Sequence, residues 1–345
     1  MEYTLFEKII VVNKESTMKL HPIWKPYPSI SKELTNTLNL MEKSINLKNK
    51  SVEQAVLEMI HSGGKLLRPA YQLLFSQFGP EQDRKKAMAL AASIEMLHTA
   101  TLIHDDIVDD ADLRRGLPTV RSSFGNDVAV YAGDYLLVCC FKLLADYSGS
   151  LKSLQLNSRS MEKILSGELG QMDSRYKLDG TVEQYLENIS GKTAELFGLS
   201  CFIGAYESGM NQRFAKKCGD IGLNIGIAFQ IIDDILDYTQ DSQEIGKPVL
   251  EDVRQGIYSL PLLYALQENT AALLPYLEKR ENMTDEDTQK VFTLVHELHG
   301  VEKAQALASD YTSKALTAID KLPENEQQTK NILSTITKKI LNRTN

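Results

Sequence analysis

Two stretches decide the fold: Asp105-Asp106-Ile107-Val108-Asp109 and Asp233-Asp234-Ile235-Leu236-Asp237. Each has the form D-D-x-x-D and each follows an apolar run, 101–103 in one case and 225–232 in the other. On a helix, positions i, i+1 and i+4 fall within one arc roughly 100° wide. Each cluster therefore reads as three carboxylates on one helix face. Like charges at that spacing repel unless a cation lies between them. Carboxylates alone select hard cations, and Mg²⁺ typically bridges a few carboxylates to substrate phosphates. The two patches, far apart in sequence, predict a shared set of divalent ions.

Around these patches the chain reads as helix. Of its 345 residues 43% are hydrophobic and 24% charged, enough for a large buried core. Helical periodicity covers 51–77, 84–110, 127–147, 155–171, 181–206, 211–238 and 260–266. Breaks fall at Gly79-Pro80, Gly116-Leu117-Pro118 and Gly246-Lys247-Pro248. Ser51 and Asp127 are the expected N-caps of their helices. No repeat of solenoid period and no low-complexity linker divides the chain. The expected architecture is all-α: one large helical bundle over 18–345, its apolar cavity capped by the two Asp-rich motifs, after a loose extension at 1–17.

The bulk properties narrow the function. A net charge of −8 gives no nucleic-acid footprint. No run of 18 apolar residues occurs, so no membrane span is expected. The N-terminal stretch lacks a secretory pattern. Cys139, Cys140, Cys201 and Cys218 form no C-x-x-C and read as free thiols of a cytoplasmic protein. In His296-Glu297-Leu298-His299 the second histidine comes one residue too early for a zinc motif, so this is read as surface helix.

Cationic elements accompany the acidic ones. Gly63-Gly64-Lys65-Leu66-Leu67-Arg68-Pro69 sets Lys65 and Arg68 three apart after a flexible glycine pair. Arg114-Arg115-Gly116 follows the first acidic patch, and Lys192-Thr193 and Lys247 lie in Gly-Lys contexts. Arginine forks grip phosphate oxygens bidentately and lysine adds a point charge. Together they describe a cavity that takes one polyanion through metal and another through direct cations.

With these residues in view, the chain resembles the trans-isoprenyl diphosphate synthases, the polyprenyl synthetase family, of medium- to long-chain type. The matching segments are GGKLLRP at 63–69, EMLHTATLIHDDIVDDADLRRG at 95–116, Gly133-Asp134-Tyr135, GKTAELF at 191–197, FQIIDDILD at 229–237, Gly246-Lys247-Pro248 and 256–261. The resemblance implies that Asp105, Asp106 and Asp109 form the first metal motif. Asp233, Asp234 and Asp237 form the second, with Asp233 the foremost direct ligand and Asp237 beside it. Together they would hold three Mg²⁺ ions on an allylic diphosphate. Arg114, Lys192 and Lys247 would touch the same diphosphate, and Asp234 stands with this substrate-binding set. Lys65, Arg68, His98 and Arg115 would bind isopentenyl diphosphate. Gln230 and Thr193 would line the reacting carbon.

The chemistry has its own logic. An allylic C–O bond breaks when charge on the leaving diphosphate is stabilised in a preorganised site. Water must be kept from the cation, which suits an apolar bundle with a charged mouth. The resemblance puts product length under Thr101, one turn or about 6 Å below Asp105, and its neighbours Ala100 and Leu97. Short-chain members carry bulky aromatics where Ala100 and Thr101 stand, so the floor here is expected to be open. At about 5 Å per isoprene unit the product should reach roughly C30–C40, for quinone side chains. Tyr135, Leu136 or Phe141 would close the tunnel instead if they turn inward.

One departure is Ile257, where many members carry lysine; it bears on autonomy more than on reaction class. A homodimer through 129–144 is expected, and a heterodimer with a small regulatory subunit stays open. So does a shorter, geranylgeranyl or farnesyl product. Rivals fit worse. A terpene cyclase would lack Lys65, Arg68 and Arg115, and an HD-type phosphohydrolase would need clustered histidines. A non-catalytic subunit would show degenerate aspartate motifs.

Overall fold

The structure is a computed structural model, and it describes residues 20–239 and 250–342. Lys247, the Gly246–Lys247–Pro248 break and the extension at 1–17 lie outside the described residues.

Helices dominate. The order is α1 Pro28–Ser44, α2 Lys50–His61, α3 Leu67–Phe75, α4 Arg84–Val108, α5 Val120–Phe124, α6 Asn126–Tyr147 and α7 Leu151–Asp173. Then follow α8 Val182–Ile189, a π turn at Ser190–Ala194, α9 Glu195–Glu207 and α10 Gln212–Leu236. The last are α11 Glu251–Arg254, α12 Leu260–Leu277, α13 Asp285–Glu297, α14 Gly300–Asp320 and α15 Thr329–Leu341. Among the described residues the strands are confined to one hairpin, Leu113–Arg114 against Leu117–Pro118.

The two Asp-bearing helices start from clean caps. Asp83 accepts from Lys86 N ahead of α4, and Asn211 accepts from Phe214 N ahead of α10. Helix α4 packs on α3 and α6, α9 packs on α3 and α10, and α14 backs α10. One hydrophobic cluster runs from Ile23 to Leu341, with Trp24, Tyr71, Phe75 and Phe197 among its largest fully buried side chains.

Several boundaries differ from those the periodicity predicts. The span 51–77 is two helices, because Gly63 (φ +81°) and Leu66 (φ +49°) turn the chain between them. Asn49, not Ser51, caps α2, accepting from Ser51 N and Val52 N. Gly125, not Asp127, precedes α6. The span 181–206 is interrupted by the π turn, and the helix at 260 continues to Leu277 across a kink at Asn269. Helices α1 and α13–α15 lie outside the segments that periodicity assigned.

Helix α6 is long and apolar enough to cross a membrane by length and composition alone. Here one side of it, with Ala132, Leu136, Cys140 and Leu143, is core, while Tyr131, Val138 and Phe141 are exposed. All four cysteines are buried and free.

Candidate functional site

Both aspartate motifs finish their helices. Asp105 and Asp106 lie in the last turn of α4 and Asp109 is its C-cap; Asp233 and Asp234 close α10 and Asp237 is its C-cap. A helix C-terminus carries partial negative charge, so carboxylates there are disfavoured unless a cation arrives. A cleft of about 290 Å³ brings the two ends together, lined by Asp109 from the first motif, Asp234 and Gln230 from α10, and Lys192.

Within each triad the middle carboxylate turns away from an open ligand role. Asp106 is 2% exposed, and Arg114 Nε and Nη2 both reach its Oδ1 at 2.7 Å. Asp234 accepts from Tyr185 Oη at 2.6 Å and from Gln230 Nε2 at 2.8 Å. Asp105 and Asp233 are half-buried, and Asp109 and Asp237 are exposed. The three carboxylates of each motif are thus not equivalent: Asp106 is buried against Arg114, and Asp234 lines the cleft while bonded to Tyr185 and Gln230.

Charge in the cleft is unbalanced. Burial, then Glu168 and Asp109, push Asp105 up to about 7, with Lys192 and Arg114 opposing. Burial also lifts Asp234 to about 7 against its two hydrogen bonds. Lys192 sits 2.8 Å from Glu168 Oε2 and donates to Gln171 Oε1 at 2.9 Å. Burial works against its ammonium, but Glu168, Asp105 and Asp109 outweigh that and hold its pKa above the ordinary value.

The π turn aims Lys192 and Thr193. Such turns occur as single widened loops in helices, often at functional sites. Gly191 allows it: a Cβ there would stand 2.6 Å from Lys163 O, and one on Gly167 would stand 2.5 Å from Lys192 N. Backbone therefore meets backbone, and Lys192 is pressed against the inner face of α7. Thr193 is 7% exposed and donates to Gln230 Oε1 at 2.7 Å.

The second cationic group lies between α3 and α4. Arg68 Nη1 is 3.2 Å from His98 Nε2, and its guanidinium lies 4.5 Å above the Phe197 ring. Burial pulls Arg68 down to about 10, against Glu95 and Asp233. Burial, then Arg68, Arg115 and Arg114, hold His98 well below the ordinary histidine value, so it is neutral and accepts from Arg68. Arg115 and Gly116 turn the hairpin with φ of +52° and +79°, the two left-handed residues a tight hairpin requires. That turn lays the Arg115 guanidinium over Gly64, 3.1 Å from where a Cβ would be. Trp24 Nε1 donates to Lys65 O at 2.6 Å and fastens the glycine loop.

Other predicted residues fall as follows. Thr101 is half-buried one turn below Asp105, while Ala100 and Leu97 are enclosed in the core. His104 packs toward α6: its Nε2 is 3.4 Å from Val130 O and from Asp134 Oδ1. Tyr135 Oη bonds Asn46 and Phe141 is exposed, so of those two and Leu136 only Leu136 points wholly inward. Ile257 lines the cleft. His296 is half-buried, with Nε2 2.7 Å from Tyr238 O, and so helps anchor the end of α10 instead of standing free on the surface.

Sequence reasoning missed Glu95, Glu168, Gln171, Arg175 and Tyr185. A signal existed for two of them. Glu168 and Gln171 extend the inward stripe Ser153, Asn157, Ser160, Ile164 and Gly167 of α7, so polar groups sat where core was expected.

The model of the polyprenyl synthetase family matches residues 49–295. The chain belongs to the polyprenyl synthetase family. It is 33% identical over 301 residues to heptaprenyl diphosphate synthase component 2 of Geobacillus stearothermophilus, covering 87% of this chain and 93% of that one. Its fold superposes on geranylgeranyl pyrophosphate synthase from Lactobacillus brevis with a TM-score of 0.89 and 41% identity, over 93% of this chain and 99% of that one. For heptaprenyl diphosphate synthase from Staphylococcus aureus the TM-score is 0.86 at 33% identity, over 92% and 99%. This polyprenyl synthetase is accordingly all-α and a prenyltransferase.

One glycine gives a direct prediction. Gly256 has φ +79°, and a Cβ there would meet the Tyr176 ring at 2.6 Å. Tyr176 N also donates to Gly256 O at 2.9 Å beside the cleft residue Ile257. Gly256→Ala should lower the melting temperature by several degrees, a loss of about 1–3 kcal/mol. A melting curve superimposable on that of the unsubstituted protein would refute the contact.

Proposed function

We propose that this chain catalyses Mg²⁺-dependent head-to-tail condensation of isopentenyl diphosphate with an allylic diphosphate, farnesyl or geranyl diphosphate, to give an all-trans polyprenyl diphosphate. The observation that carries the reading is the shared cleft, where Asp109, Asp234, Gln230 and Lys192 meet from separate elements. Among the described residues no three His, Cys, Asp or Glu side chains form a ready metal cage. Mg²⁺ is commonly held by one or two carboxylates plus substrate phosphates, which arrive only with the substrate. Asp105, Asp109, Asp233 and Asp237 are the outward donors for it; Asp106 and Asp234 hold Arg114 and Gln230 in place. When bound, Mg²⁺ supplies Lewis acidity toward the leaving diphosphate.

The chain's own groups do the rest. Lys192, Arg114 and, on sequence alone, Lys247 orient the allylic diphosphate. Arg68, Arg115, Lys65 and neutral His98 hold the diphosphate of isopentenyl diphosphate. Gln230 and Thr193 turn oxygen toward the carbon that becomes positive. Diphosphate release that needs both substrates and stops on chelation of Mg²⁺ tests this; release without isopentenyl diphosphate would point to a hydrolase.

For product length, half-buried Thr101 and small Ala100 support a floor open at its first layer and a product of roughly C30–C40. The heptaprenyl relatives agree, whereas the Lactobacillus brevis structure, named for a geranylgeranyl synthase, favours about C20 as the second reading. Thr101→Phe or Ala100→Phe should shorten the product by one or more isoprene units. An unchanged product would move the floor to α6, where Leu136 is the inward residue.

Exposed Tyr131, Val138 and Phe141 on α6, with Leu165 and Leu169 on α7, support association through this face. The proposed arrangement is a cytoplasmic homodimer. The name of the Geobacillus relative, a component 2, supports a small partner subunit as the alternative.

A further inference from the structure

Tyr185 belongs to no motif discussed so far, yet it begins a continuous hydrogen-bond chain. Its hydroxyl donates to Asp234 Oδ2 at 2.6 Å, Gln230 Nε2 donates to Asp234 Oδ1 at 2.8 Å, and Thr193 Oγ1 donates to Gln230 Oε1 at 2.7 Å. Tyr185 is 8% exposed and Thr193 7%. The chain crosses three elements, from α8 through the end of α10 to the π turn.

The chain has a direction. With Tyr185 donating to one oxygen, Asp234 accepts the Gln230 N–H on the other. That fixes the Gln230 amide: its NH₂ faces Asp234 and its carbonyl oxygen faces Thr193. A carbonyl oxygen has two lone pairs, and Thr193 takes one. Burial and neighbouring Asp234 hold the Tyr185 hydroxyl well above the ordinary tyrosine range, so it stays a donor.

We propose that Tyr185 is a positioning residue for prenyl transfer: through Asp234 it keeps the oxygen of Gln230, and not its NH₂, directed at the carbon that develops positive charge. The inference rests on the reading of this cleft as a prenyl-transfer centre. Without the phenol, Asp234 loses one of the two side chains that fix its carboxyl group. The group can then swing away from Gln230, and the amide is no longer held with its oxygen toward the cation. Preorganised dipoles aimed at developing charge are among the largest contributions to catalysis, so misorienting one is felt in kcat.

The test is Tyr185→Phe, which removes one oxygen and keeps the ring. The expected result is a kcat lower by about tenfold, with KM for each diphosphate within about twofold and the melting curve little changed. In a Gln230→Met background the same substitution should add nothing, because residues acting through one group are non-additive. An unchanged kcat, or a full additional loss in that background, overturns the proposal. The side-chain amide of Gln230, followed by NMR in protein carrying ¹⁵N-glutamine, gives an answer without turnover. It should exchange slowly with solvent and lose that protection in Tyr185→Phe; equal protection in both overturns the proposal. Failure of the unsubstituted chain to transfer prenyl groups would count against the proposed function alone, since the amide is read independently. If Tyr185→Phe does not fold, Tyr185→Met removes the same donor and carries the same expectations.

Discussion

Asp105→Ala or Asp233→Ala should cut turnover at least about 100-fold while leaving the far-UV helical signal intact. Asp105 lies in the last turn of α4 and Asp233 near the end of α10, so each substitution removes one side of the proposed metal site. The loss should appear in kcat more than in KM for isopentenyl diphosphate, whose proposed ligands Arg68 and His98 lie between α3 and α4. The fold should survive because both aspartates stand near helix ends outside the buried hydrophobic cluster. By contrast, Asp106→Ala would strip Arg114 of its partner and should cost stability as well as rate. Near-normal turnover in Asp233→Ala would remove the second motif from the mechanism.

The second large effect concerns stability. Asp105 and Asp234 rise from 3.8 to about 7, chiefly through burial. In the metal-free protein each therefore keeps its proton at pH values where the unfolded chain has released it. By linkage, a carboxyl raised in this way favours the fold below its unfolded pKa, and that contribution is lost as pH climbs through the folded value. His98, depressed by burial, runs the other way below its unfolded value of 6.5. Comparing Asp105→Asn with the unsubstituted protein cancels the histidine. The variant should be the more stable metal-free protein, by a margin that grows from about pH 4.5 and levels off above about pH 8. It should also be nearly inactive, the trade of stability for function expected of a charged site. Mg²⁺ with inorganic diphosphate should stabilise the unsubstituted protein far more than the variant. A margin that does not change with pH would mean that Asp105 titrates normally.

Much of this was legible in the sequence because it depended on spacing along one helix. D-D-x-x-D gathers three carboxylates within about one turn whatever surrounds them, and both motifs lie where apolar periodicity ends. The division of labour within a triad was not legible. Whether Asp106 or Asp109 turns inward depends on Arg114, delivered by a hairpin eight residues on, and on burial that no local pattern reports. Tyr185 gave no signal because a single tyrosine in an amphipathic helix looks like core. The π turn at Ser190–Ala194 was invisible for another reason: one extra residue shifts the apolar phase by about 100°, but α9 is buried on nearly every side, so no shift shows. The glycine loop at Gly63-Gly64 disappeared into a predicted helix because Leu66 and Leu67 continue the apolar spacing through it. The fold also splits the histidines in a way that their type does not announce. His98 meets Arg68, His104 meets α6, and His296 meets the backbone end of α10.

The most direct measurement is the product ladder of the purified chain alone, given Mg²⁺, labelled isopentenyl diphosphate and farnesyl diphosphate, with the products dephosphorylated and separated by length. The expected result is a series of all-trans prenols ending near about C30–C40. A series ending at about C20 would contradict the open floor while keeping the reaction. No labelled prenol from well-folded protein, with none restored by a partner subunit, would contradict prenyl transfer by this chain.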